Sequence, residues 1–214
     1  MLSLAGALSA TAIAADGGRS KIYPSQSTGA PETIVYDAAS AMEYFRTLSG
    51  DWSKRGDDGS LQKYGQTGNA EHEHATAEAA PPKESAPAVF TTFNTIAAGS
   101  AVTQKYLAGS PMEMELVYHM DGANTLLQTH YCAAKNVPTT KFVKTGKPGE
   151  IKFDFLSGTN LDPSIDSHFH ASTWQVKDKD TVQVTTFAYK DGKQLPPTMS
   201  IYERMPRQRS GEAR

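Results

Sequence analysis

The chain has 214 residues, 38% of them hydrophobic, and a formal net charge of −2. That length suits one well-cored domain with tails, and the near-neutral balance lacks the basic stripe that a nucleic-acid binder needs. No run of about 18 apolar residues occurs, so no segment is built to cross a membrane as a helix.

The segment from Leu2 to Ala15 is small and apolar and contains Ala12-Ile13-Ala14, the pattern of a secretory signal with a small-x-small cleavage site. Residues 1–15 are therefore expected to be a signal-peptide remnant, and the protein to be periplasmic or secreted. No lysine or arginine precedes the apolar run, and a frayed N-terminal helix is the alternative. Residues 16–35 are rich in glycine, serine and proline and read as a flexible linker. A single folded domain is then expected over residues 36–206, followed by a polar tail at 207–214.

Within that domain Ala41, Met42, Phe45 and Leu48 fall at helical spacing, with Asp37 placed to cap the first turn. The helix should end at Ser49-Gly50, where glycine suits a left-handed closing residue, and a strand should start at Asp51-Trp52. Residues 65–87 turn polar and alanine-rich, with Glu71-His72-Glu73-His74 at the centre. Such a composition buries too little surface to fold alone and reads as a disordered insertion and a solvated acidic tract.

Short strand-like runs then recur between turn residues: Val89 to Ile96, Ala101 to Leu107, Met112 to Met120, Thr125 to Ala133 and Thr139 to Val143. Ile151 to Leu156, His168 to Val176, Thr181 to Tyr189 and Thr198 to Arg204 follow. Many short strands at spacings of about a dozen residues, with one helix in front, point to an all-β fold. The expected form is an antiparallel, closed or nearly closed β-barrel of about 8–10 strands, with a sandwich as the alternative.

Several of these residues resemble a group of exported bacterial proteins with a lipocalin-like, or calycin, β-barrel. Leu48-Ser49-Gly50-Asp51-Trp52 is similar to the glycine-x-tryptophan that opens the first strand of such barrels. Ala98 to Val102, Met114 to Gly122 and Thr129-His130-Tyr131-Cys132 resemble the middle strands, and Asn136-Val137-Pro138 the turn after them. The resemblance implies a barrel whose Trp52 indole packs across the closed end. It implies a fold more than an activity, because function lives in sites grafted on folds.

The richest stretch for chemistry is the hairpin from Tyr118 to Cys132, turned at Asp121-Gly122. Alternation sets Met112, Met114, Leu116, Tyr118 and Met120 on one face and Glu113, Glu115, Val117 and His119 on the other. A turn of two or four residues would add Leu126, Gln128, His130 and Cys132 to the histidine face, and Leu127, Thr129 and Tyr131 to the methionine face. A three-residue turn would break that parity. With the methionine face inside, the barrel is a pocket for an apolar or aromatic small molecule, lined or gated by Trp52, Met114, Leu116, Tyr118, Tyr131 and Trp174.

With the histidine face inside, a metal or haem site becomes the alternative. Asp166-Ser167-His168-Phe169-His170 places two imidazoles on one strand face, and His130 or His119 could supply a third ligand for zinc or another transition metal. Haem could bind only noncovalently, since the chain has a single cysteine and no attachment motif. Cys132 beside His130 lacks an orienting third group, and no nucleophile elbow, phosphate loop or dinucleotide fingerprint appears, so the reading leans away from an enzyme. A third reading makes the chain an accessory subunit of a cell-envelope assembly or a homo-oligomer.

Overall fold

The computed structural model describes residues 29–55 and 89–206. The expected signal remnant, the 65–87 insertion with His72 and His74, and the 207–214 tail lie outside the described residues, and so does the linker before residue 29.

A 3-10 turn at Pro31–Thr33 leads into α1, Ala38–Thr47. Asp37 caps α1 as its spacing predicts: its carboxylate accepts from the Ser40 amide, and the Ser40 hydroxyl oxygen accepts from the Asp37 amide. The strands are β1 Gly50–Arg55, β2 Thr91–Ile96, β3 Ala101–Tyr106, β4 Met114–Met120, β5 Leu126–Tyr131 and β6 Val137–Val143. They continue as β7 Glu150–Thr159, β8 His168–Val176, β9 Thr181–Lys190, the two-residue β10 Lys193–Gln194 and β11 Thr198–Arg204.

Every pairing is antiparallel, and the order β9-β11-β1-β2-β3-β4-β5-β6-β7-β8 closes on itself because β8 also pairs with β9. The result is the expected all-β closed barrel, with ten strands and one short helix. Closure leaves no unpaired edge within that ring, while β10 only extends the end of β9.

The apolar stripe of α1 enters one end of the barrel. Phe45, with no solvent exposure, stacks on Tyr118 at 4.1 Å between ring centroids and meets Trp174 edge-on at 5.2 Å. Trp52, Phe93 and Phe153 extend the same cluster across the interior. Edge-to-face pairs of this kind contribute about 0.5–1.5 kcal/mol each beyond the area they bury. The plug thus fills that end of the barrel with rings.

A latch on the outside holds the plug. Arg204 at the end of β11 donates to Asp180 at 2.9 Å and to the carbonyls of Thr47, Leu48 and Ser49 that α1 leaves without helical partners. Its guanidinium also lies 4.4 Å from the Trp52 ring, whose indole N–H donates to the Leu48 carbonyl. Gly149 fastens the chain before α1: its amide donates to the Ile34 carbonyl, its φ is +69°, and an added Cβ would lie 2.7 Å from the Glu32 carbonyl.

Candidate functional site

Strand alternation decides what faces the interior. Residues 121–125 separate the paired Met120 and Leu126, so the hairpin turn holds five residues. Gly122 takes a positive φ of +73° there, and the Asp121 amide donates to the Thr125 carbonyl. An odd count reverses the parity of a two- or four-residue turn. Leu116 pairs with His130, Tyr118 with Gln128 and Met120 with Leu126, so His130 joins the methionine face and His119 stands on the opposite one with Leu127.

Of the parities the sequence left open, the odd one holds, so His119 and His130 do not share a face. Tyr131, expected in the lining, pairs with Glu115, turns outward and is 52% exposed. The methionine face is the inner one, with Leu116 and Tyr118 buried and Met114 packed against the core. Trp52, Tyr118 and Trp174 belong to the ring cluster around Phe45, while Leu116 and Met114 lie further along β4, away from α1.

The interior is not purely apolar. A directed hydrogen-bond chain crosses it, and its sense is fixed by its first member, since an indole can only donate. Trp174 Nε1 donates to Ser172 Oγ at 3.3 Å, and Ser172 faces Gln128 Oε1 at 3.5 Å. Thr140 donates to that same oxygen at 2.9 Å, which turns the Gln128 amide nitrogen toward the Tyr118 hydroxyl, 2.9 Å away. The Tyr118 hydroxyl donates in turn to Gln104 Oε1 at 2.6 Å. Burial raises the Tyr118 pKa well above its ordinary value, so the phenol stays a donor.

The chain ends open. Gln104 Nε2 has no partner among the described residues, although Gln104 is fully buried. On the same cross-strand row, two strands over, both ring nitrogens of His130 are also buried without partners among the described residues. Burial lowers the His130 pKa to about 4, so the imidazole is neutral at neutral pH. The Phe169 ring packs over it at 5.2 Å. Nearby, Tyr106 and Tyr202 bring their hydroxyls to 3.4 Å, and the half-buried Phe90 lies under the Lys54 ammonium at 4.9 Å.

His168 and His170 flank Phe169 but touch each other, Nε2 to Nδ1 at 3.0 Å, so alternation turns them to the face opposite Phe169 and His130. His168 Nδ1 must donate to the Asp166 carbonyl at 2.8 Å, which leaves its Nε2 to accept from His170. Tyr189 and Phe155 sandwich the His170 ring at 3.8 and 4.9 Å. Burial and the neighbouring His168 lower the His170 pKa, against an opposing pull from Asp154.

The expected trio of His130, His168 and His170 is therefore not assembled, because a β-bulge between Phe169 and Ala171 and the strand alternation aim its members apart. Among the described residues no three His, Cys, Asp or Glu side chains converge where they could hold a metal ion. The cleft lined by Arg46, Ser49, Asp180 and Arg204 at the other end is the outer seam of the latch, with the Arg204 donors committed to Asp180 and to backbone carbonyls. No family model and no curated protein matches this chain.

Sequence reasoning missed Gln104, Phe45 as the plug, and Phe169. The one signal for Gln104 was its place in Val102-x-Gln104-x-Tyr106, which alternates onto a face that is otherwise apolar.

Proposed function

We propose that the protein is a small-molecule-binding β-barrel, taking an apolar or aromatic guest in the half of its interior away from α1. The observation that carries this reading is the pair of unpartnered His130 nitrogens, buried behind Phe169 in an interior whose other half is filled by rings. Native interiors leave few polar atoms unmet, and each one left so costs about 1–3 kcal/mol. A guest that meets them would offset that cost. The barrel supports the reading because closed barrels of this size can enclose one small ligand.

Fluorescence titration of the full chain with N-phenylnaphthylamine tests it. Saturable, blue-shifted emission is expected, and Leu116→Trp, which fills the inner face, should weaken it about tenfold or more. Emission that rises linearly, or is indifferent to Leu116→Trp, would remove the reading.

A further inference from the structure

Gln104, Leu116 and His130 form one row on the adjacent strands β3, β4 and β5, all three facing the core. Two strand spacings set the Gln104 and His130 backbones about 10 Å apart, a gap that two inward-pointing side chains can close on a common guest. The chemistry on offer is unequal. Gln104 Oε1 already accepts from the Tyr118 hydroxyl, so the atoms left unmet are the amide N–H groups. His130 offers one N–H beside its lone pair.

We infer that this row is the polar anchor of the ligand site, and that its ligand is an apolar, ring-bearing molecule with one hydrogen-bond-accepting oxygen, a carbonyl or carboxylate, held by Gln104 Nε2 and His130. The inference rests on the ligand-binding reading above and adds the chemistry of the guest. A plain hydrocarbon leaves the donors unmet, which buried sites discriminate against strongly. An ammonium group would face the Gln104 amide donor to donor. Phe169 packs against the imidazole and would form one wall of the site.

The test uses the full chain, quenching of its tryptophan fluorescence, and three probes of similar shape: ethylnaphthalene, acetylnaphthalene and naphthoate. At least one oxygen-bearing probe is expected to bind about tenfold tighter than ethylnaphthalene, and Gln104→Leu and His130→Leu should each erase that gain, with the hydrocarbon bound at least as tightly as before because no donor is then left unmet. Which oxygen probe wins identifies the source of the acceptor. Gln104→Glu is the second variant, because its ionised carboxylate keeps size and the Tyr118 contact while exchanging donor for acceptor; at a pH high enough to ionise it, it should reject both oxygen probes. Equal binding of all three, or a gain that survives these substitutions, overturns the inference and leaves the ligand-binding reading standing. Failure of every probe to bind overturns both.

Discussion

The two ends of this barrel are built on opposite terms. At the α1 end, Phe45, Tyr118, Trp174 and Phe153 meet ring against ring, and the carbonyls that the helix leaves over are taken up by Arg204 and by the Trp52 indole. At the other end, Gln104 and His130 are also buried but leave polar atoms without partners among the described residues. One half packs ring on ring and meets the helix-end carbonyls. The other half retains unmet polarity, which is what a binding site needs and what a purely structural core avoids.

The largest effect expected is on the plug. Phe45→Ala should cost about 3–5 kcal/mol of unfolding free energy in urea, because a fully buried ring leaves a cavity among rings that cannot collapse. Phe169→Ala, removing a half-buried ring, should cost about 1–2 kcal/mol. If the ranking reversed, the division into a ring-packed half and the half proposed to bind a guest would fail.

The second effect is acid-dependent. In the unfolded chain His130 takes up a proton near the ordinary histidine value of 6.5, whereas in the folded barrel it does so only near about 4. Between those values the unfolded state binds more protons, so stability falls as pH is lowered from 6.5 to 4 and is unaffected by this group above 6.5. The full loss is about 3 kcal/mol for a difference of that size. Urea unfolding of the native chain and of His130→Leu across this window should show the gap between them shift by that amount. A constant gap would mean that the folded imidazole titrates as freely as the unfolded one.

How far the sequence revealed this division is instructive. The strands and the capped helix were legible because period-2 runs, Asp37 and the turn residues are local signals. The parity of the hairpin was not: Asp121-Gly122 announces a turn, but its length depends on Thr125 bonding back to Asp121 rather than continuing β5. The inward polar chain was illegible for a different reason. Gln104, Gln128, Thr140 and Ser172 look like solvent-facing strand residues, and only barrel closure brings them within reach of one another. The periodic apolar face of α1 could say that Phe45 is buried, but not that Tyr118 from β4 would be waiting for it.

The latch tests whether the closed end holds as a unit. Arg204→Met keeps much of the aliphatic cover over Trp52 but abandons the Asp180 and backbone bonds, and should cost about 2 kcal/mol. Asp180 is 43% exposed, so most of that loss comes from the carbonyls and little from the ion pair. Arg204→Lys should recover only a small part, since an ammonium cannot serve several carbonyls and stack on an indole at once. Full recovery with lysine would show that charge alone matters there.

The smallest effect is also the cleanest separation of the two halves. Asp37→Ala removes the carboxylate that accepts from the Ser40 amide and should cost about 1 kcal/mol, since the first turn of α1 then has an unmet donor. The carboxylate is held below its usual pKa mainly by that same amide, so the contribution is present at neutral pH and is lost as the pH falls through the lowered value. Nothing in the capping box touches Gln104, His130 or Phe169. If the ends are independent, the variant should unfold at lower urea yet bind the aromatic probe with unchanged affinity. Weaker binding in step with the lost stability would instead mean that the plug sets the shape of the far end, carried through the Phe45–Tyr118 stack and the Tyr118–Gln104 hydrogen bond.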